Sequence, residues 1–394
     1  MDLPQELVDM ILDNIRDDIP SLESCSLVAR AFVASARKHI FKKTEVLSSS
    51  DACQRFYKLL SSSPHIALLV KDLCIVSVFP ETPVNADSYG GYMAGRTLSL
   101  ILPLLDLTRI SIVENGSTHH SGMAYSRSWD KMEQTLKSAL ASVFSSPRLE
   151  AVHLRGLVLE SPRQLLSLFS KATALKELSL SRLYFTQHWS KHERWPESQL
   201  WNPKLQSLLV NDFYTCGFSQ YFVHPQIDLT NVRTLTVATH FRKQIIRATN
   251  RGLPGGVEHL SLWVAHDIDG LSPEFFSINL RSIHLFSHSI IEQLGTVFKR
   301  CPHDSCLERV ILDGPGDVQQ IPQAPEFYAA INTAVGYLCS LKTIEMRPIM
   351  AGLSDTFGQW ETAVQSVFPS LVRRGMLRIT EIEGRGDDVD PDWE

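Results

Sequence analysis

Apolar positions follow two rhythms along the 394-residue chain. In the first 45 residues they fall three and four apart: Leu7, Met10, Ile11 and Ile15, then Leu22, Cys25, Val28, Ala29 and Phe32. That spacing places each set on one face of a helix. Pro4 suits a first helical turn, where its missing N–H costs nothing, and Pro20 ends the first helix or opens the second. Residues 1–23 carry seven acids and only Arg16 as a base, whereas Arg30, Arg37, Lys38, Lys42 and Lys43 come next without an acid between them. Two or three helices over so short a stretch bury too little surface to stand alone. This head is therefore expected to dock on the adjoining domain, on a partner, or on both.

Past residue 65 the pattern becomes apolar-x-x-apolar-x-apolar. It reads Val70/Leu73/Ile75, Leu107/Ile110/Ile112, Leu149/Val152/Leu154, Leu175/Leu178/Leu180 and Leu205/Leu208/Val210. It continues as Val232/Leu235/Val237, Val257/Leu260/Leu262, Leu280/Ile283/Leu285, Leu307/Val310/Leu312 and Leu341/Ile344/Met346, with a frayed copy at Leu377 to Ile382. From the third copy on, start-to-start gaps run from 23 to 36 residues. The last two apolar positions of each unit alternate as in a strand, and the first marks the turn into it. Helix-length segments lie between copies, such as Arg163 to Lys171, Ile290 to Lys299, Ala329 to Tyr337 and Thr362 to Val372.

A short strand returning every two to three dozen residues, with a helix between, predicts an α/β fold. The expected form is an irregular leucine-rich-repeat solenoid, with parallel strands on the concave face and helices on the convex face. A doubly wound α/β domain would alternate in the same way. Ten copies exceed the usual strand count of one such sheet, and no glycine fingerprint comes after any strand. The turn asparagine of the standard repeat appears once, as Asn115, while Leu157, Leu183, Phe213 and Ile349 occupy its slot elsewhere. Irregular turns are the consequence. The predicted organisation is a helical head over 1–45, a linker helix over 46–64, the repeat array over 65–384 and an acidic tail over 385–394. Loops are expected at 79–95, 114–128 and 184–204, the last holding Trp189, Trp195 and Trp201 beside His188 and His192.

Composition narrows the function classes. With 44% hydrophobic and 21% charged residues the chain can bury a core and is neither disordered nor fibrous. Lys plus Arg number 38 against 43 Asp plus Glu, a net charge of −5 without the broad positive field of a nucleic-acid binder. The longest apolar stretch, Leu98 to Leu105, is broken by Pro103, so no membrane span is expected. No secretory signal is read at the N-terminus. Seven scattered cysteines point to reduced thiols and a cytoplasmic or nuclear address.

The head resembles the F-box family. The residues that carry the likeness are Leu3-Pro4-x-Glu6-Leu7, Ile11-Leu12, Ile15, Leu22 and Cys25-Ser26-Leu27-Val28-Ala29-Arg30-Ala31-Phe32. Many members have Trp where this chain has Phe32, which keeps an aromatic wedge and loses the indole donor. The resemblance implies binding to a Skp-type adaptor and, through it, to a cullin-based ubiquitin ligase. It assigns the adaptor face to Leu3, Pro4, Leu7, Ile11, Leu12, Ile15, Leu22, Cys25, Val28 and Phe32, some of which must instead pack the head's own core. An F-box head joined to degenerate repeats looks like the fungal F-box/leucine-rich-repeat group.

Chemical motifs give no assembled constellation. Gly314-Pro315-Gly316 lacks the later glycine and the Lys-Ser/Thr of a phosphate loop. No Gly-x-Ser-x-Gly elbow is present. His192-Glu193 begins like a zinc-protease helix, but Pro196 stands where the second histidine belongs, and Cys301, His303 and Cys306 are too few for a structural zinc site. No metal and no cofactor are expected. Arg385-Gly386-Asp387 and Asn115-Gly116-Ser117 copy extracellular motifs by chance.

Residues flanking each strand's apolar pair share the other face of the strand. Among them Arg155, His259, Trp263, His284, Phe286, Ile311, Asp313 and Arg347 are the expected contacts to a target protein, because aromatic and arginine side chains dominate interface energies. The expected function is a non-catalytic receptor: the head grips the adaptor and the array grips the target. A protein-binding scaffold outside any ligase, and an enzyme with its site in the 114–128 or 184–204 loops, are the alternatives.

Overall fold

In a computed structural model of the chain, the described residues are 4–47, 50–78, 95–115, 129, 132–186, 204–211, 230–239, 256–264, 279–286, 294–295, 297–298, 301–302, 304–315, 325–349 and 357–381. They fall into two compact units, one within Met1–Lys204 and the other within Leu205–Asp212 and Gly217–Glu394. The class is α/β, with parallel strands and helices, as the apolar pattern predicts.

The first unit opens with three helices, α1 (Gln5–Asn14), α2 (Ile19–Val28) and α3 (Arg30–Lys42). Asp18 caps α2 by accepting from the Ser21 N–H at 3.1 Å, and Pro20 lies in its first turn. The apolar stripe from Leu22 to Phe32 suggests one helix, yet the chain breaks at Ala29, whose φ of −152° and ψ of 148° are extended. Helix α3 runs straight into strand β1 (Lys43–Leu47), which the sequence pattern misses. Residues 46 and 47 thus belong to a strand, and α4 (Ser50–Ser62) and the short α5 (Pro64–Ala67) come after it.

Strands β2 (Asp72–Val78), β3 (Arg109–Asn115) and β4 (Ala151–Arg155) come next, with α6 (Gly95–Ile101) and α7 (Gln134–Phe144) among them. The unit continues with β5 (Val158–Leu159), α8 (Pro162–Phe169), β6 (Glu177–Ser181) and β7 (Tyr184–Phe185). Strands β1, β2, β3, β4 and β6 pair in that order, all parallel, while β5 pairs with β7. Ser161 caps α8 through the Gln164 N–H, and the Gln164 side chain returns to the Glu160 N–H at 2.8 Å.

The second unit holds β8 (Ser207–Asn211), β9 (Thr234–Thr239), β10 (His259–Val264), β11 (Ser282–Phe286), β12 (Arg309–Pro315), β13 (Thr343–Ile349) and β14 (Leu377–Ile379). These too are parallel and paired in chain order. Helices α9 (Pro325–Tyr337), α10 (Phe357–Val367) and α11 (Pro369–Arg373) accompany the later strands. Within the segment 362–372 the sequence suggests one helix. Pro369 divides it, opening α11 where its ring is tolerated.

Among the described residues, one backbone device recurs in eight of the copies. In these the carbonyl of the residue after the first apolar position accepts two consecutive N–H groups from the next copy. Arg233 O takes Glu258 and His259 N–H at 2.8 and 2.9 Å, Glu258 O takes Arg281 and Ser282, Arg281 O takes Glu308 and Arg309, and Glu308 O takes Lys342 and Thr343. The same pairs occur at Lys71, Thr108, Glu150 and Gln206. This clamp sets the register, so Leu260 faces Ile283 and Leu262 faces Leu285. Side chains at the clamp alternate in sign: Glu258 pairs with Arg233 at 3.4 Å and Arg281 at 3.6 Å, and Glu308 with Arg281 at 3.6 Å and Lys342 at 2.6 Å. Exposed pairs of this kind contribute little each.

Alternation then sends the aligned apolar pairs to one side. In the second unit Leu260, Leu262, Ile283, Leu285, Val310, Leu312, Ile344 and Met346 form one buried cluster with Tyr328, Ile331 and Val335 of α9 and Trp360 and Val364 of α10. Tyr328 meets Phe368 edge-on at 5.3 Å. In the first unit Phe144 of α7 and Phe169 of α8 lie 5.3 Å apart over the same apolar rows. Replacing Leu285, which is 1% exposed, by Ala should cost about 2–5 kcal/mol from lost burial and a cavity. A lowered denaturation midpoint would measure it, and an unchanged midpoint would contradict this packing.

Candidate functional site

The apolar rows face the helices, so polar chemistry gathers on the other side of the strands. In the second unit four strands contribute to one cluster there. Ser261 of β10, His284 of β11, Asp313 of β12 and Arg347 of β13 meet on a diagonal. Asp313 is buried at 3% exposure, and Ser261 and His284 are buried as well. Arg347 clasps the carboxylate with a fork, Nε to Oδ1 at 2.7 Å and an Nη2 donor to Oδ2 at 2.7 Å. His284 Nε2 lies 2.8 Å from Asp313 Oδ2, and Nδ1 lies 3.4 Å from Ser261 Oγ.

His284 Nε2 faces both the Asp313 carboxylate and an Arg347 Nη2 donor, each at 2.8 Å, and Nδ1 faces the Ser261 hydroxyl, so each ring nitrogen has a partner in either tautomer. The serine, the imidazole and the carboxylate each then have a partner, as buried groups require. The order serine, histidine, carboxylate is that of a nucleophile, a base and an orienting acid. Two features distinguish it from a catalytic arrangement of those groups. Arg347 already neutralises Asp313, and the β10 N–H groups are engaged by β9 and β11, leaving no strand donor for an oxyanion. The cluster links side chains of four adjacent strands.

A related cluster occupies the same side of the first unit. Arg109 of β3 reaches Glu177 of β6 through Nη2 to Oε2 at 2.9 Å and approaches Asp72 of β2 at 3.8 Å. His153 of β4 has Nε2 3.1 Å from Glu177 Oε1 and 3.1 Å from Arg109 Nη1. The His153 hydrogen bond, aided by the Arg109 charge, holds the Glu177 carboxyl below its ordinary range. Burial pushes the Asp72 carboxyl the other way. These groups are partly open to solvent, which makes this the more reachable of the two clusters. The sequence reading omits Asp72, Arg109 and Glu177. Their signal is the alternating charge at the first strand position of β2, β3 and β6, interrupted by Ala151 of β4 and visible only once the copies are aligned.

Several expected target contacts are committed within the protein. His284 and Asp313 are buried in the network just described, so they support that surface and do not form it. Arg347 is partly exposed beside them, and Phe286 and Ile311 are half-buried on β11 and β12. His259 is exposed, with Nδ1 3.3 Å from Ser282 Oγ. Arg155 is half-buried in the first unit. Trp263 stands in register with Phe286, but its side chain is outside the described residues. So are Trp189, Trp195, Trp201, His188, His192, His303 and the acidic tail.

The head separates its apolar residues into two sets. Val8, Leu12, Leu22 and Ala36 are its buried core, with Ile15, Cys25, Phe32 and Ile40 partly buried against them. Leu12 and Leu22, expected on an adaptor face, therefore point inward, and Phe32 packs inward in part. Pro4, Leu7, Ile11 and Val28 remain exposed, as do Met10 at 61% and Leu27 at 86%. Leu3 is outside the described residues. Gln5 ties α1 to α3 by donating to Ser35 Oγ at 3.0 Å, and His39 Nε2 reaches Asp13 at 3.1 Å.

Burial pushes the Cys53 and Cys74 thiols up to about 11, so both are protonated near neutrality. Among the described residues no cluster of His, Cys, Asp or Glu could hold a metal ion, and no helix is long and apolar enough to cross a membrane. No protein-family model matches the chain, and no curated protein matches it.

The clusters generate two predictions. A depressed carboxyl contributes stability that is present above its unfolded value, about 4.3 for Glu, and that disappears as pH falls through the folded value. Glu177→Gln should therefore flatten part of the stability loss between about pH 5 and pH 3, read from melting temperatures across that range; an unaltered profile would contradict it. Asp313→Ala strands Arg347 and His284 without their shared acceptor and should cost about 1–3 kcal/mol. Denaturant titration checks this, and Ser261→Ala, at the end of the series, should cost less.

Proposed function

We propose that this chain is a substrate-recognition subunit of a cullin-based ubiquitin ligase. In this reading the helical head is an F-box that binds a Skp-type adaptor. The strand copies form a leucine-rich-repeat solenoid whose polar strand face binds a target protein. The chain needs no reaction of its own, because holding a target beside the ubiquitin carrier raises its effective concentration.

The observation that carries the reading is the division of the head's apolar residues. Four of them satisfy its core, while Leu7, Met10, Ile11, Leu27 and Val28 stay on the surface of a very small unit. Exposed apolar side chains concentrated in so short a segment mark an interaction surface more readily than scattered ones do. Leu7, Ile11 and Val28 among them are positions that the resemblance assigns to the adaptor. The clamp supports the repeat reading, since eight of the copies contact the next through one recurring set of bonds.

The test is capture of a purified Skp-type adaptor. Wild type should retain the adaptor, and Leu7→Asp combined with Ile11→Asp should lose it while melting normally, because both side chains are exposed. Leu12→Asp should instead unfold the head. Absence of adaptor with the wild type would remove the ligase reading and leave a protein-binding scaffold.

A further inference from the structure

The last strand of the second unit ends in a particular way. Helix α11 closes with Gly375 at a φ of +64°, the Gly375 N–H on Val372 O at 2.9 Å and the Met376 N–H on Leu371 O at 3.0 Å. This paired closure terminates the helix and aims the chain directly into β14. Among the described residues β14 has one neighbour, β13. The Met376 carbonyl accepts from the Ile344 N–H at 2.8 Å, and the Thr380 N–H donates to the Met346 carbonyl at 3.1 Å. Because bonding residues alternate in a parallel ladder, Arg378 also faces β13. The N–H and C=O groups of Leu377 and Ile379 then point away from it, two donors and two acceptors on an outer edge.

The edge carries a charge. Arg378 on the strand is exposed, as are Arg373 and Arg374 at the end of α11 and Glu381 just past the strand; Glu345, in register with Arg378, is already held by Arg309 at 2.5 Å. Leu377 and Ile379 are anchored by packing against the core, so the outward groups are fixed in place. A second copy of this edge would bring arginines against arginines. An acidic strand would meet matching charge and a ready set of backbone partners.

We propose that the outer edge of β14 accepts an extended acidic segment of a partner protein as an added strand. The proposal does not rest on the ligase reading, and its test uses the whole chain without any adaptor. The probe is a labelled synthetic peptide of about eight residues alternating valine and aspartate, a length typical of strand addition, monitored by fluorescence anisotropy. Binding should saturate, weaken with salt, and fall at least about tenfold when lysine replaces aspartate.

Ile379→Pro removes an outward donor and leaves the bonds to β13 in place. It should weaken binding about tenfold, the size of one lost hydrogen bond, while Ile379→Val keeps the donor and should bind as wild type. If Ile379→Pro lowers the melting temperature, Arg378→Glu serves instead, reversing an exposed charge and abolishing capture of the acidic peptide. No saturable binding, equal binding of the lysine peptide, or full binding by both Ile379→Pro and Arg378→Glu would overturn the proposal. So would self-association of the chain that Ile379→Pro abolishes.

Discussion

The alignment of the strands rests on one carbonyl at the strand entrance of eight of the copies. It accepts two successive N–H groups from the next copy just before the strand begins, so a strand cannot enter one residue early or late. A slip of one residue would turn each apolar pair to the polar side and each polar pair into the core. The clamp therefore converts a loose apolar spacing into aligned rows, and those rows dictate how the helices pack. Irregular distances between copies are tolerated because the clamp acts at the strand entrance, whatever length of chain precedes it.

The cost of aligned rows is borne on the other side of the strands. Side chains there stand about 4.8 Å from their counterparts on the next strand, close enough that any buried polar group must find its partner on a neighbouring copy. Both His-centred clusters answer this demand with the same ingredients: an imidazole between a carboxylate and a guanidinium. In the second unit the result is buried and closed, with Arg347, His284 and Ser261 all directed into one carboxylate series. In the first unit the four groups remain partly wet, and their carboxyls are pushed in opposite directions by burial and by hydrogen bonding. A surface of the second kind can exchange an internal partner for an external one at far less desolvation cost.

The strand copies were legible in the sequence because a buried row admits few residue types, and all ten triads occupy strand entrances. The first strand was not. Phe41, Thr44 and Val46 occupy the slots of a triad, and Thr44 breaks the aliphatic rule while the backbone still pairs with β2. The break at Ala29 was invisible for a different reason: Leu22, Cys25 and Phe32 keep helical spacing across it, since both helices pack on the same small core. Spacing likewise shows that Leu7, Met10 and Ile11 share a face, but only the positions of α2 and α3 determine that Val8 and Leu12 point inward instead. The His284 cluster needed register as well as pattern, because its members occupy two different rows on successive strands.

The head and the first strand also share a constraint that pattern alone does not express. Helix α3 ends at Lys42 and β1 starts at Lys43, and the Lys42 carbonyl accepts a single N–H from the next strand's entrance, that of Lys71 at 3.1 Å. The residue that closes the head thus begins the stacking of the copies. With no spacer between them, a partner seated on the exposed side of α1 and α2 would be oriented relative to the first strands by covalent geometry and the α3 packing, not by a swinging linker. Under the proposed receptor role, such rigidity would restrict the relative positions available to two bound proteins and so raise the effective concentration at the favoured one. The same coupling means that damage to the head core at Leu12 or Leu22 would be felt at β1, whereas changes to the exposed Leu7 or Ile11 would not.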